Sequence, residues 1–203
     1  MSQAGIAEFI ASPAPSIFLY RPRLSVRAPQ VLFGAEDQGP ALGALAGISN
    51  PLPTFAGEFA AAVGLPPETR VTELTPTTLA DLRSQDPDAL VLFLFSGGWY
   101  LDYQRLPLRL QHYRLSFSMI AKLLPRGRVV QGTATLALPG AAWEGSCYYL
   151  GARYPLEVWK RDGGERLREE MVAGLNACRR RLASEFQTAS GRAWRSTLCR
   201  VTD

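Results

Sequence analysis

The stretch ALVLFLF, Ala89–Phe95, decides the fold, because it is an uninterrupted apolar run of seven residues. Such a run is typical of a central strand that is covered on both faces. A helix is predicted just before it: Thr75 fits the N-cap, Pro76 fits the first helical position, and the helix continues to about Ser84. A helix followed by a buried strand indicates the α/β part of the fold.

The residues before this unit predict a short sequence of strands and one helix. Ser16–Tyr20 and Leu24–Phe33 read as extended, and Pro29 confines part of the second segment to an edge or a bulge. Phe55–Val63 carries aromatic and apolar residues at four-residue spacing, which predicts a short helix. Arg70–Leu74 reads as a short strand.

The second half of the chain has a different pattern. From Tyr113 to Leu123, apolar and polar residues alternate with a period of two, which predicts a long, half-exposed strand. A turn at 125–128 leads to a second predicted strand at Val129–Leu138, and Trp143–Leu150 predicts a third. Consecutive strands joined by short turns indicate an antiparallel meander.

The last element is a long amphipathic helix. Asp162 and Glu165 have the spacing of a capping box. The apolar positions that follow lie three or four residues apart and form one helical stripe: Leu167, Met171, Leu175, Cys178, Leu182 and Phe186. We expect a helix over about 164–187 that packs on the sheet.

Composition and length fit one globular domain. The chain has 203 residues, of which 47% are hydrophobic and 20% are charged. We expect a flexible leader at 1–15, a single domain at 16–187, and a flexible or surface-lying tail at 188–203. The predicted fold class is α+β, with a mixed, largely antiparallel sheet, a meander in the second half, helices packed on one side, and a long C-terminal helix.

The charge is distributed unevenly along the chain. Residues 1–100 hold five Arg and nine acidic residues, a net charge of −4, whereas residues 101–203 hold 17 basic and nine acidic residues, a net charge of +8. A basic half raises a nucleic-acid hypothesis. Because Arg outnumbers Lys by twenty to two, a genome-wide codon preference explains the excess better, and we expect no nucleic-acid partner.

Two features suggest a small-molecule site but lack the rest of a motif. Gly97 and Gly98 follow the buried strand, where α/β proteins often place a ligand loop, yet no phosphate-binding glycine pattern accompanies them. His112 is the only histidine, and no nucleophile motif surrounds it. We therefore expect no catalytic residue, no cofactor and no metal. A ligand binder or enzyme that uses the glycine loop remains the alternative.

Aromatic residues are more numerous around the meander than a core of this size needs. Trp99, Tyr100 and Tyr103 follow the buried strand closely. Such side chains either pack on a sheet face or form a surface for a partner. We expect these three residues to bind a protein partner.

The cysteines allow two interpretations. Cys147 lies in the third strand of the predicted meander, and Cys178 lies on the apolar stripe of the last helix. If that helix covers that strand, the two thiols could form a disulfide, which would contribute roughly 3–4 kcal/mol and require an oxidising compartment. Otherwise they are two free buried cysteines that pack as small apolar residues. Cys199 has no evident partner.

Export and membrane signals are weak in the sequence. No stretch approaches the roughly 20 apolar residues that span a bilayer. Residues 1–15 contain neither a basic segment nor an apolar run of signal-peptide length. We expect either a cytoplasmic location or a natural amino terminus that differs from Met1.

The order of four motifs resembles a known family. A buried strand ends in Gly-Gly-Trp, a tyrosine-rich meander follows, the segment WEGSC occupies Trp143–Cys147, and Asp162-Gly163-Gly164 precedes a helix that carries Asn176-Ala177-Cys178. This order, over about residues 70–187, is similar to the small Gram-negative envelope lipoproteins with a TolB amino-terminal-like fold.

The resemblance implies a location and a role. It implies an α+β sheet, a periplasmic or outer-membrane location, a Cys147–Cys178 disulfide, and an accessory role through binding a protein of the envelope, in transport or assembly machinery, without catalysis. Such lipoproteins carry a lipid-acceptor cysteine after a signal segment. Any membrane association would therefore come through an N-terminal lipid anchor, which residues 1–15 do not provide.

Overall fold

The computed structural model describes residues 3–20, 26–27, 43–47, 50–105, 111–132 and 140–191. The strands are β1 Ser16–Tyr20, β2 Val26–Arg27, β3 Arg70–Glu73, β4 Leu90–Arg105, β5 Gln111–Pro125 and β6 Trp143–Pro155. The helices are α1 Gln3–Ala11, α2 Leu52–Ala62, α3 Pro76–Arg83, α4 Arg126–Gly132, α5 Leu156–Lys160 and α6 Glu165–Ala189, with a 3-10 turn at Arg161–Gly164 before α6.

One mixed sheet organises the described residues. Its strand order is β3-β1-β4-β5-β6, and β2 pairs with the far part of β4. The strands β3, β1 and β4 run parallel, whereas β4, β5 and β6 form an antiparallel meander. The predicted α+β class, the mixed sheet and the long C-terminal helix are therefore confirmed. The meander consists of β4, β5 and β6.

The sheet has two faces, and helices lie on both. On the first face, Leu92 and Leu94 of β4 belong to the main core, together with residues of α1, α2 and α6. On the second face, Val91 and Phe93 belong to a smaller core that includes Leu82 of α3 and Val129 of α4. The prediction of helices on one side only is corrected here. The apolar run of β4 alternates between the faces, so each face needs cover.

The start of α3 follows the sequence prediction closely. Thr75 is the N-cap and Pro76 is the first helical residue. The Thr75 hydroxyl accepts a hydrogen bond from the Thr78 backbone N–H at 3.2 Å, and the Thr78 hydroxyl accepts one from the Thr75 backbone N–H at 2.7 Å. Because each side chain satisfies the other's free amide, the helix begins at a defined residue.

Two segments differ from their predictions. Gln3–Ala11 forms helix α1 where the sequence predicts a flexible leader, because Ile6 and Phe9 are fully buried in the main core. Residues 126–132 form helix α4 in place of the predicted turn and the start of a strand. Val129 supplies a buried side chain to the second core, and the Arg126 amide donates to the Ala89 carbonyl at 2.8 Å. Residues 133–139 and the tail at 192–203 lie outside the described residues.

The entry into α6 also differs from the prediction. The helix begins after Gly164, which has φ +77°, and no side chain caps it, so Asp162 and Glu165 form no capping box. Asp162 and Gly163 are also in the left-handed region. A Cβ on Gly164 would lie 2.7 Å from the Cβ of Ala46, so the chain requires glycine at this position.

Candidate partner-binding surface

A disulfide joins the sheet to helix α6, which packs on the first face. Cys147 of β6 and Cys178 of α6 are bonded, with their Cα atoms 5.3 Å apart. Both residues are buried in the main core. The structure thus contains the bridge that the resemblance implies, in place of two free cysteines. Because the bridge closes a loop between residues 31 apart in sequence, it restricts the unfolded chain and stabilises the packing of α6 on β6.

Helix α6 approaches the sheet closely next to this bridge. A Cβ on Gly174 would lie 2.6 Å from Cδ1 of Tyr149 and 2.7 Å from Cε1 of Phe117. The Phe117 and Tyr149 rings contact each other at a centroid distance of 5.2 Å. The absence of a side chain at Gly174 therefore allows the helix to rest directly on two aromatic rings.

Tyr149 also forms a polar contact with α6. Its hydroxyl donates a hydrogen bond to Oε2 of Glu170 at 2.7 Å. Burial raises the pKa of Tyr149 above its ordinary value, and the hydrogen bond and negative charge of Glu170 raise it further. The pair holds β6 and α6 together where β6 continues beyond the disulfide.

The end of β6 is fixed by Trp159 of α5. The indole Nε1 donates to the carbonyl of Tyr113 at 3.1 Å and to that of Tyr154 at 3.2 Å. The Trp159 ring packs edge-on against the Tyr154 ring. The first face is consequently closed by helices from the disulfide to the end of the meander.

Among the described helices, α3 and α4 lie on the second face, and they cover only one end of it. Across the strands, Tyr20 pairs with Phe95, Phe95 pairs with Ile120, and Ile120 pairs with Ser146. Tyr20, Phe95 and Ile120 are half-buried. The next two positions of β6 on this face are Tyr148, which is 59% exposed, and Leu150, which is 44% exposed.

We call this set of residues the open face: Tyr20, Phe95, Ile120, Tyr148 and Leu150. On one side it is bounded by an ion pair between Lys122 Nζ and Glu144 Oε2, at 3.1 Å. The patch combines aromatic, aliphatic and charged groups on a rigid sheet. Such a surface can bind a partner through apolar contact with polar groups at its border.

The predicted partner-binding residues lie in the far part of β4. In backbone register, Trp99 pairs with Phe117, Tyr100 with Ser116 and Tyr103 with Tyr113. Ser116 also pairs with Leu150 of the open face. The side chains of Trp99, Tyr100 and Tyr103 lie outside the described part of the structure, so their role in binding stays a prediction.

The loop at Gly97 and Gly98, which the alternative ligand-binding hypothesis requires, is a strand in the structure. Both residues lie within β4, and the register with β5 shifts between Ser96 and Trp99. The glycines therefore form an irregularity in a continuous strand, as a bulge does. Strand β4 pairs with β5 on both sides of the shift, so the two glycines do not form a loop.

Several other polar groups lie apart from the open face. His112 is half-buried in β5, where it pairs with Gln104 and Pro155. Arg179 forms an ion pair with Glu58 of α2, and Arg181 Nε lies 2.9 Å from Oε1 of Glu185. In the described ranges no cluster of His, Cys, Asp or Glu could hold a metal ion. Cys199 lies outside those ranges.

Several residues of the open face and its border are not evident from the sequence. Ile120 of the open face and Lys122 at its border belong to the period-two pattern of β5, and that pattern indicates which residues share a face. The pattern does not indicate which face the helices leave uncovered. Leu150 was also missed, although its alternation with Cys147 and Tyr149 is visible in the sequence.

None of the described helices is both long enough and apolar enough to cross a bilayer. No protein-family model matches the chain, and no curated protein matches it.

Three of the solved structures to which this chain is similar are bacterial proteins of low sequence identity. The first is a minor lipoprotein from Acinetobacter baumannii, 11% identical, with 89% of this chain and 96% of that chain covered and a TM-score of 0.35. The second is a putative neuraminyllactose-binding hemagglutinin homolog from Helicobacter pylori, 9% identical, with 89% and 91% covered and a TM-score of 0.39. The third is lipoprotein GNA1162 from Neisseria meningitidis, 15% identical, with 80% and 99% covered and a TM-score of 0.28.

Two of these three proteins are lipoproteins by name. A TolB amino-terminal-like fold is not named for any of the three. At these TM-scores and identities the likeness establishes no family for this chain, and the specific fold-family resemblance stays a prediction.

Proposed function

We propose that this chain is a non-enzymatic accessory protein of the bacterial cell envelope that binds a protein partner through the open face. The observation that carries the proposal is the exposure of Tyr148 and Leu150 beside half-buried Ile120 and Phe95. Exposed apolar patches on a structured surface are frequently interaction sites. Of the three aromatic residues predicted to bind a partner, Tyr100 would extend this surface along β4, because it pairs with Ser116 beside Leu150. In backbone register, Trp99 and Tyr103 pair instead with Phe117 and Tyr113, which belong to the main core.

The disulfide supports an envelope location. Disulfides persist in oxidising compartments such as the bacterial periplasm and are rare in the cytosol. The Cys147–Cys178 bridge lies in the main core between β6 and α6. In this proposal the protein works in the periplasm or at the inner face of the outer membrane.

The chemistry of the open face favours a protein as the partner. Aromatic and aliphatic side chains at the centre of a patch exclude water, and charged groups at its border fix the orientation of the complex. Tyr148 and Leu150 supply the apolar centre, and Lys122 and Glu144 supply a charged border. A flat sheet surface suits a folded partner better than a small ligand, which binds in a cavity.

The test compares two equally exposed apolar positions. Tyr148 is 59% exposed on the open face, and Val172 is 58% exposed on α6. The partner is first identified by cross-linking in the native host, and its affinity is then measured for the wild type, Tyr148→Asp and Val172→Asp. We expect Tyr148→Asp to weaken binding by about tenfold or more and Val172→Asp to leave it unchanged. Equal affinities for all three proteins would remove the open face as the binding surface.

A further inference from the structure

Strand β6 is an edge strand of the sheet. One side of it pairs with β5, and in the part of the chain that the structure describes no strand pairs with its other side. The strand is long, Trp143–Pro155, and its residues on the open-face side are exposed. A long edge strand presents a row of backbone donors and acceptors that can pair with another strand.

A bulge in β6 determines which residues share the open-face side. Gly151 and Ala152 together oppose the single residue Leu115 of β5. Because of this extra residue, Arg153 returns to the open-face side, where it pairs with Arg114. Along this side of β6 the order is therefore an acid, a hydroxyl, an aromatic, an aliphatic and a base: Glu144, Ser146, Tyr148, Leu150 and Arg153.

When two copies of this strand run in opposite directions, the acidic end of one strand lies opposite the basic end of the other. We propose that β6 pairs antiparallel with β6 of a second copy of this chain, around a two-fold axis that passes through Tyr148. Tyr148 then lies opposite Tyr148 of the second copy, and Ser146 lies opposite Leu150. Directly opposite side chains in an antiparallel pair are about 5 Å apart at Cβ, close enough for the two tyrosines to contact each other.

Charge complementarity favours a second copy as the occupant of this edge. In the proposed register, Glu144 of each copy lies opposite Arg153 of the other copy, because the two bulge residues occupy one position of the ladder. Arg153 pairs with another cation, Arg114, inside its own sheet, and like charges directly opposite each other are unfavourable. The carboxylate of Glu144, which in its own sheet also contacts Lys122, would lie on the free side of Arg153 and offset that repulsion. Because of the two-fold axis, the contact between Glu144 and Arg153 occurs twice in the dimer.

The dimer would join the two sheets into one and place the two open faces side by side. This inference goes beyond the proposed function, because it concerns the assembly of copies of this chain. It does not depend on whether the open face binds a different protein. Arg153 belongs to the dimer contact and not to the open face, so the Arg153→Glu variant tests self-pairing separately from partner binding.

The first experiment uses charge exchange. Sedimentation equilibrium measures the dimer dissociation constant of the wild type, Glu144→Lys and Arg153→Glu, with Glu157→Lys and Lys160→Glu as controls that make the same charge changes on α5. We expect a dimer for the wild type and both controls, and a dissociation constant raised about tenfold or more for each β6 variant, because each places two like-charged pairs across the axis.

Mixing the two β6 variants gives the most specific result. A heterodimer of Glu144→Lys with Arg153→Glu places Lys opposite Glu and Arg opposite Glu, so we expect the mixture to recover the wild-type dissociation constant. A monomeric wild type at high protein concentration would overturn the proposal. A dimer dissociation constant that is unchanged in both charge-reversal variants would also overturn it.

A second experiment avoids changing the charged residues, in case those variants fold poorly. The photo-cross-linker p-benzoylphenylalanine replaces Tyr148 in one protein and Val172 in a control protein. We expect a covalent dimer of twice the chain mass from position 148 and none from position 172, with peptide mapping of the link to 143–155 of both copies. A link that maps elsewhere, or no covalent dimer, would contradict β6 pairing.

Discussion

The two faces of the sheet are built from the same strands but are covered very differently. In β5, Leu115, Phe117 and Met119 point to the first face and are fully or nearly fully buried, whereas Ser118 and Ile120 point to the second face and are only half-buried. The first face carries α1, α2, α6 and the disulfide. Of the described helices, α3 and α4 lie on the second face, at one end of it.

Because of this difference, we expect the first face to determine the stability of the fold and the second face to be available for recognition. Apolar area removed from water contributes roughly 25 cal/mol per Å² to the free energy of folding. The first face, which is covered by helices, therefore supplies most of that free energy. The open face contributes less to folding and leaves its side chains available for contacts with other molecules. Substitutions on the two faces should therefore have effects of different kinds, and the following predictions test that separation.

The largest expected loss of stability comes from a substitution at the centre of the first face. Phe186 of α6 packs edge-on against Trp143 at a centroid distance of 4.9 Å and against Phe59 at 6.2 Å. Phe186→Ala should lower the free energy of unfolding by about 3–5 kcal/mol, because it leaves a cavity among these rings. Chemical denaturation measures the change, with exposed Val172→Ala as the control. A loss below about 1 kcal/mol would show that the covered face does not dominate stability.

Replacing glycine by alanine should have opposite effects on the free energy of unfolding at two helical positions. Gly174→Ala should destabilise the fold by about 1–3 kcal/mol, because the new methyl group would lie under 3 Å from two aromatic rings. Gly57 of α2 is exposed with no atom near its Cβ position, so Gly57→Ala should stabilise by up to about 1 kcal/mol. Thermal unfolding compares the two variants. The same sign for both would contradict the close contact between α6 and the sheet.

A smaller effect concerns Tyr149 at alkaline pH. Because the folded state raises the pKa of Tyr149 above its ordinary value of 10.0, the stabilisation is fully present below pH 10 and is lost progressively above it, as the unfolded chain ionises first. Tyr149 is partly exposed, so the effect should stay below about 1 kcal/mol. Denaturation of the wild type and Tyr149→Phe at pH 8 and above pH 10 measures it. Identical pH dependence for both proteins would exclude this coupling.

Local signals in the sequence predict much of the fold. The Thr75–Pro76 start of α3 and the alternation from Tyr113 to Leu123 are encoded within a few residues, and the structure contains both as predicted. The apolar stripe from Leu167 to Phe186 likewise marks the buried side of α6. In each case neighbouring residues alone determine the element and its buried side.

The missed elements depend on contacts between distant residues. The β-branched pair Val129–Val130 favours a strand, but Val129 fills the second core, and the first residues of α4 are hydrogen-bonded to the turn at 86–89. Residues 3–11 lack a strong periodic pattern, yet Ile6 and Phe9 complete the main core. The open face is also a long-range property, because it depends on where α3 and α4 end.

We propose that this protein works in the envelope in its oxidised form, with α6 held on the first face by the Cys147–Cys178 bridge. The most direct test is a free-thiol count by mass after alkylation, on denatured protein purified from its native host without reductant. We predict one reactive thiol, Cys199, with Cys147 and Cys178 linked in the peptide map. Three alkylated cysteines would contradict both the bridge in the cell and the envelope location that it supports.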